Sequence, residues 1–208
     1  MKSIGAVLLA AGCSTRMSHG RHKLLVEING IPLVRRSALT LLDTGLSKIV
    51  AVTGHRHEKV STALSGLPLY IGRNPDYAKG MGTSLAVGFS QPQFADVDGI
   101  LVMLADMPDL RALDIQKLIR CFEADNGRSV VRACYRRSPG HPVILPRGCF
   151  AAVRLLDADR GATNVIRDSG LPVSFCDIGP GALSDIDTTE DAIRAGAVLP
   201  CPARRNSR

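Results

Sequence analysis

The run Ile100-Leu101-Val102-Met103-Leu104 is apolar at every position and gives way to Ala105-Asp106-Met107-Pro108. A strand with one face in water alternates apolar and polar residues, whereas a strand without that alternation needs cover on both faces. The segment Ile4-Gly5-Ala6-Val7-Leu8-Leu9-Ala10-Ala11 has the same character. Period and composition place further strands at 48–53, 67–72, 129–135, 141–145 and 173–177, beside those at 3–9 and 99–104. Helical windows fall between them, at 33–44, 57–64, 83–90, 113–124, 148–156, 162–169 and 188–197. Doubly covered strands alternating with helices imply an α/β fold around a mostly parallel sheet. Ligands of such sheets sit beyond the carboxyl ends of the strands, so the loops that follow strands are where chemistry is expected.

No repeat, low-complexity tract or Pro/Ser-rich linker divides the 208 residues. Residues 1–200 are therefore expected to form a single domain, and 201–208 a basic, disordered tail. Hydrophobic residues make up 45% and charged residues 22%, the balance of a soluble globular chain. The apolar stretch at 4–11 is eight residues long, against roughly 20 for a membrane span. Only Lys2 leads it, so neither a span nor a signal peptide is expected. The six cysteines (Cys13, Cys121, Cys134, Cys149, Cys176, Cys201) form no C-x-x-C pair and no zinc-spaced cluster with histidine. They read as reduced thiols of a cytoplasmic protein.

The formal charge of +7 first suggests nucleic acid, but its distribution does not. Residues 24–201 carry 19 basic and 19 acidic side chains. The excess lies in Lys2, Arg16, Arg21 and Lys23 at one end and in Arg204, Arg205 and Arg208 at the other. Duplex binding requires a basic face spread over the domain. Single-strand binding requires stacking platforms, and the chain has no Trp, three Tyr and five Phe. An anionic small molecule near residues 16–23 is the better reading, with no nucleic-acid and no membrane partner expected.

After the first strand comes Leu9-Ala10-Ala11-Gly12-Cys13-Ser14-Thr15-Arg16-Met17, with Lys23 beyond it. Small residues let a ligand approach the backbone, and free N–H groups with Arg16 and Lys23 make an anion cradle. The loop matches neither G-x-x-x-x-G-K-[ST] nor G-x-G-x-x-G, which disfavours a P-loop ATPase and a simple dehydrogenase. Asp106, at the tip of a buried strand, is placed either to hold Mg²⁺ or to serve as an ordinary turn aspartate. In Asp185-Ile186-Asp187-Thr188-Thr189-Glu190-Asp191, Thr188 and Asp191 fit a helix-capping signal. Asp185 and Asp187 are not needed for capping, and either can be a second metal ligand. The loop from Asn74 to Leu85 offers N–H donors and hydroxyls at a helix start, suited to a base, ribose or phosphate. His141, between Gly140 and Pro142, is either a substrate contact or a hydrogen-bonded structural residue. His19, His22, His55 and His57 lack a carboxylate at ligand-like spacing.

Together these segments resemble the MobA-like nucleotidyltransferase family, and within it the molybdenum cofactor cytidylyltransferases. That branch carries LAAGxSxRMG-x-x-K, NPxYxxGMxxSL, DMP, GHPV and DIDTPED in this order. The matches here lie at 9–17, 74–85, 106–108, 140–143 and 185–191, each at a strand end. The chain departs from the pattern at three places. Ser18-His19 intervene before Gly20-Arg21-His22-Lys23, GDxGAR becomes Ala158-Asp159-Arg160-Gly161-Ala162-Thr163, and Thr189 replaces the proline of DIDTPED.

The resemblance implies a three-layer Rossmann-like nucleotidyltransferase fold with a mostly parallel mixed sheet. It further implies a nucleotidyl group passing from a nucleoside triphosphate to an anionic phosphate acceptor such as molybdopterin, with Mg²⁺ as cofactor and a molybdoenzyme or chaperone as a possible partner. Arg16, Lys23 and Asp106 then form the catalytic set. Leu9, Ala10, Ala11, Gly12, Gly82 and Ser84 join Arg16 and Lys23 around the nucleotide. Asp106 and Asp187 hold the metal, with Asp185 in reserve, and His141 and Asp159 face the acceptor. Related guanylyltransferases typically have glycine where this chain has Ala11, which favours CTP over GTP. Other readings stay open: an enzyme acting on a sugar phosphate or methylerythritol phosphate, or a non-catalytic nucleotide-binding chaperone. Against the first, sugar-phosphate enzymes usually use more chain, and the methylerythritol enzymes prefer Pro-Lys-Gln where this chain has His22-Lys23-Leu24.

Overall fold

The computed structural model describes residues 2–157 and 161–197. The chain runs through β1 (Ile4–Ala10), β2 (Glu27–Ile28), β3 (Ile31–Pro32), α1 (Leu33–Leu42), β4 (Ile49–Thr53), α2 (His57–Ala63), β5 (Tyr70–Arg73) and α3 (Met81–Phe89). It continues through β6 (Gly99–Leu104), α4 (Ala112–Ala124), β7 (Val130–Tyr135), β8 (Ser138–Pro146), α5 (Phe150–Arg154), α6 (Ala162–Asp168), β9 (Val173–Asp177) and α7 (Thr189–Arg194). Asp159 and the segment 201–208, singled out in the sequence, lie outside the described residues.

Seven strands form one sheet in the order β5-β4-β1-β6-β8-β7-β9. Every neighbouring pair is parallel except the two that involve β8, which runs against both β6 and β7. The sheet is thus mixed and mostly parallel. Alternation along each strand divides the core. Ala6 and Leu8 of β1 and Leu101 and Met103 of β6 face α1, α2 and α4, meeting Val34, Val60 and Leu118. Val7, Leu9, Ile100 and Val102 face the other way, toward Leu85 and Phe89 of α3 and Phe150 of α5. Each large apolar side chain fully buried in this way contributes about 1.5–3 kcal/mol. The unbroken apolar runs of β1 and β6 are thereby explained as the middle layer of three.

Two of the differences from the sequence reading bear on the site. β8 begins at Ser138 rather than at 141, because it forms a hairpin with β7 through Arg136 and Arg137, whose φ angles are 48° and 70°. A two-residue turn with both residues left-handed matches the twist of a hairpin, but it normally uses Asn or Gly, so two arginines carry no turn signal. The small β2–β3 hairpin is absent from the expected strands although Asn29-Gly30, both with positive φ, spell such a turn plainly. Ile28 of this hairpin bridges Ala197 and shares a minor core with Met17, Leu33, Ile186 and Ala192. That minor core joins the loop after β1 to the acidic segment before α7. Among the described residues no helix is long and apolar enough to cross a membrane.

Candidate functional site

The loop after β1 is held from beneath. The carbonyl of Ala11 accepts a hydrogen bond from the His55 N–H at 3.1 Å, just past the end of β4. Gly54 makes this approach possible: a Cβ there would lie 2.8 Å from Cβ of Ala11 and 2.5 Å from Cβ of Tyr77. Gly12 is different, since a Cβ on it would meet nothing within 4 Å. No neighbour in the fold demands glycine at that point, and the space over it opens into a cavity. Ser14 takes the left-handed conformation (φ 56°) and turns the loop back, its Oγ accepting from the Lys23 N–H at 3.1 Å. This contact sets the direction of the Lys23 side chain.

Lys23 ends among acids. Its Nζ lies 2.5 Å from Oδ2 of Asp106 and 2.9 Å from Oδ1 of Asp187, whose Oδ2 is 2.8 Å from the Arg16 guanidinium. The Lys23 and Asp106 side chains are only 14% and 13% exposed, whereas Arg16 is 68% exposed. Burial alone draws the Lys23 amine down, but the charges and hydrogen bonds of Asp106 and Asp187 outweigh it and raise the pKa above the ordinary lysine value. Asp185 completes the group. One carboxylate oxygen from each of Asp106, Asp185 and Asp187 lies within 4.8 Å of the others. Burial, then the charges of Asp187 and Asp106, raise the Asp185 pKa.

Chain geometry explains how residues some 80 positions apart converge. The Ile186 N–H donates to the Asp106 carbonyl at 2.9 Å, laying the acidic segment along the end of β6. Gly140 of β8 allows the preceding turn to lie close, since a Cβ there would come within 2.0 Å of the Ala182 carbonyl oxygen. Beyond the acids, Thr188 caps α7 by accepting from the Asp191 N–H at 3.1 Å, and the Asp191 carboxylate accepts from the Thr188 N–H at 2.9 Å. The capping signal in the sequence is realised, and it leaves Asp185 and Asp187 free of capping work.

The residues present fit a divalent cation. Oδ1 of Asp106 is buried and has no hydrogen-bond partner. An orphaned buried carboxylate oxygen is costly unless a positive group completes it. Three hard oxygen donors within reach of one another are the ligand type that Mg²⁺ and its relatives take. The sequence left Asp185 and Asp187 as alternatives; the fold brings both to Asp106.

A cavity of about 270 Å³ opens beside this cluster. Of the residues expected at the nucleotide, Leu9, Ala11, Gly12, Lys23 and Ser84 line it, and so does Asp106. Ala10 and Gly82 are buried behind the wall, and Arg16 stands outside it on Asp187. Leu24, Tyr77, Met81 and Leu104 also line the cavity, and sequence reasoning did not single them out. Tyr77 and Met81 were legible as the Tyr and Met of the NPxYxxGM segment. Buried Asn74 organises that segment, its amide donating to the hydroxyls of Thr83 and Ser84, both at 2.9 Å. The Thr83 hydroxyl in turn donates to the Gly80 carbonyl at 2.8 Å, which leaves Ser84 as the hydroxyl on the cavity wall.

Two histidines flank the site. His22 is 3% exposed and stacks on His55 at 5.2 Å with the rings 18° apart, and His55 meets Tyr77 at 5.9 Å. Burial, then the charges of His55 and Arg56, lower the His22 pKa to about 4, so the ring is neutral. His141 lies on β8, its Nδ1 buried without a hydrogen-bond partner. Burial and then the charge of Arg132 lower its pKa, against a smaller opposite pull from Asp106.

Known proteins share both sequence and fold. The chain is 33% identical over 91% of its length to the bifunctional IPC transferase and DIPP synthase of Rubrobacter xylanophilus, of which it spans 50%. It spans 29% of the bifunctional protein GlmU of Staphylococcus haemolyticus, at 30% identity over 64% of itself. With the nicotine blue oxidoreductase of Paenarthrobacter nicotinovorans it shares 30% identity over 92% of this chain and 95% of that one. The fold matches a nucleotidyl transferase of Methanothermobacter thermautotroptrophicus, Mth528, with a TM-score of 0.77 at 23% identity, covering 93% and 96% of the two chains. It also matches Rv0371c of Mycobacterium tuberculosis in complex with manganese (TM-score 0.73, 21% identity, 94% and 98% covered). A third match is the 4-diphosphocytidyl-2C-methyl-D-erythritol synthase of Anaerococcus prevotii (TM-score 0.73, 14% identity, 94% and 97% covered). The sequence model of the MobA-like NTP transferase domain matches residues 6–173, a span that includes the loop after β1, Asp106 and His141. The chain belongs to the MobA-like NTP transferase family.

Proposed function

We propose that this protein transfers a cytidylyl group from CTP to a phosphomonoester and releases pyrophosphate. The observation that carries the reading is the convergence of Asp106, Asp185 and Asp187 with Lys23 and Arg16 at the edge of the cavity lined by Gly12 and Ser84. The acceptor's phosphate oxygen is already anionic near neutral pH and needs little help from a base. It attacks the α-phosphorus; a new P–O bond forms, and the bond to the oxygen bridging the α- and β-phosphates breaks, its electrons leaving with pyrophosphate. The obstacle is repulsion between two anions, so fixed positive charge supplies most of the catalysis.

Each charge has a part. Arg16 is exposed and paired with a single carboxylate, so it can exchange Asp187 for a phosphate oxygen at little cost. Lys23, held by Ser14 and the acids, faces the α-phosphate side. Asp106 and Asp187, with Asp185 beside them, would hold Mg²⁺, which when bound neutralises charge on the transferring and leaving phosphate oxygens. Leu9, Ala11, Gly12 and Ser84 form the nucleotide side, backed by Ala10 and Gly82, and His141 the acceptor side. The manganese in the Rv0371c relative supports a divalent cation.

CTP is favoured by Ala11 and by the cytidyl product named for the Anaerococcus relative. That name also favours a small phosphorylated polyol or sugar as acceptor. A second reading, molybdopterin, is favoured by the ordered series at 74–85, 106–108, 140–143 and 185–191. Pyrophosphate release from each of the four nucleoside triphosphates, assayed against methylerythritol phosphate, a set of sugar phosphates and molybdopterin, tests the proposal. Turnover with CTP and one acceptor class is expected. Binding of CTP without turnover on any acceptor would instead mean a non-catalytic carrier. Absence of both would leave the redox activity named for the Paenarthrobacter relative as the lead.

A further inference from the structure

Arg132 belongs to none of the motifs and sits inside the apolar run of β7. It pairs in register with Val143 of β8, so it shares the sheet face of Val143. Its Nε donates to the Gly140 carbonyl at 3.2 Å, and no carboxylate among the described residues pairs with it. A half-buried guanidinium anchored at one nitrogen and otherwise uncompensated is a standing site for an anion. His141, one residue past the Gly140 anchor, presents a buried Nδ1 with no partner. The charges of Arg132 and Asp106 both act on His141, in opposite directions.

Strand order gives these groups a side. β6, which carries Asp106 at its end, lies between β1 and β8. Arg16 and Lys23 therefore approach Asp106 from the β1 side, and His141 and Arg132 from the β8–β7 side. A reaction joining two phosphates needs cations for each, and one cluster cannot neutralise both without holding them at the same point. We propose that Arg132, with Nδ1 of His141, binds the phosphomonoester of the acceptor, opposite the triphosphate across Asp106. The assignment rests on the nucleotidyl-transfer reading given above. The planar fork of Arg132 takes the two phosphate oxygens that do not attack, and the third is left toward the α-phosphorus.

The test uses Arg132→Ala and Arg132→Lys in the full chain, with methyl phosphate as the binding probe, CTP affinity as an independent reading of the donor side, and acceptor KM and kcat where turnover is found. For Arg132→Ala, methyl phosphate affinity is expected to fall, and acceptor KM to rise, by about 10- to 100-fold, the worth of a charge-assisted contact. CTP affinity should stay within about twofold of the unsubstituted chain. Arg132→Lys should recover part of the loss, since it restores the charge without the fork. An unchanged methyl phosphate affinity in Arg132→Ala overturns the assignment, as does a parallel loss of CTP affinity in both variants. If no acceptor turns over but methyl phosphate still binds through Arg132, the subsite stands and the transfer reaction falls. If turnover is found and Arg132→Ala leaves acceptor KM alone, the reaction stands and the subsite falls.

Discussion

Ser18 and Thr189, 171 residues apart, join the loop after β1 to the start of α7: their hydroxyls lie 2.7 Å apart, and the Ser18 N–H donates to Thr189 Oγ1 at 3.2 Å. Both residues are departures from the family's motifs, one inserted after Arg-Met and the other standing where proline is usual. A proline at 189 would offer no hydroxyl to Ser18. The lengthened loop and the altered acidic segment thus compensate one another. Their contact fixes the loop that bears Arg16 and Lys23 against the segment that bears Asp185 and Asp187.

Thr189→Pro removes this contact without removing the Thr188 cap of α7. Thr189 is the first residue of α7, where proline is well tolerated, and Thr188 is already extended (φ −116°, ψ 168°) as a residue before proline must be. Helix content should be unchanged while CTP affinity falls severalfold. Ser18→Ala should have a smaller effect, since the Ser18 N–H still reaches Thr189 Oγ1. The double variant should be no worse than Thr189→Pro alone, a coupling of about 0.5–1.5 kcal/mol in a double-mutant cycle. Additive losses would show that the two hydroxyls act separately.

Lys23→Met leaves three carboxylates together, with the exposed Arg16 on Asp187. Breaking a well-buried ion pair by removing one partner costs about 3–5 kcal/mol, and the Lys23 site approaches that limit. Thermal unfolding in chelator should show the full loss. Added Mg²⁺ should restore more stability to this variant than to the unsubstituted chain, because the cation takes over the neutralisation. Equal Mg²⁺ stabilisation of the two proteins would detach Lys23 from the acidic cluster.

Gly140→Ala tests how the acidic segment is delivered. A methyl group there would need the Ala182 carbonyl to move from 2.0 Å, so the turn before Asp185 must shift. Overpacking of this kind costs about 1–3 kcal/mol. Turnover should fall more than stability alone accounts for, and the Mg²⁺ concentration needed for half-maximal rate should rise.

The pH dependence of stability follows from His22. Its folded pKa, about 4, lies below the ordinary value of 6.5, so between these values the unfolded chain binds a proton that the folded chain refuses. The stabilisation is complete above pH 6.5 and is lost as pH falls toward 4, by at most about 1.4 kcal/mol per pH unit. His22→Phe keeps a flat ring against His55 and removes the titration. Denaturant unfolding at pH 7.5 and 5 should show a smaller gap for that variant than for the parent, and an equal gap would assign the acid sensitivity elsewhere.

Much of this arrangement was legible in sequence for a local reason. The apolar run at Ile100–Leu104 and the terminal Asp106 announce a doubly covered strand and its tip, and Thr188 with Asp191 announces a helix start. What escaped depends on distant partners. Nothing local places Lys23 between Asp106 and Asp187, or indicates that Asp185 and Asp187 serve together rather than as alternatives. The reversed direction of β8 follows from a turn made by Arg136 and Arg137, which lack the residues that usually mark one. Arg132 was hidden by its neighbours, since a single cation in an apolar strand reads as an edge position until the fold shows what lies opposite.

The most direct measurement is Mg²⁺-dependent pyrophosphate release from CTP and a phosphomonoester acceptor by the parent protein and by Asp106→Asn. The substitution keeps the size of the side chain and the backbone bond from Ile186, and removes the charge that meets Lys23 and would meet the cation. The expected result is a Mg²⁺-dependent rate in the parent and a loss on the order of 10²- to 10³-fold in the variant, with the fold intact by circular dichroism. Undiminished, Mg²⁺-dependent turnover by Asp106→Asn would contradict the central role given to the carboxylate at the end of β6.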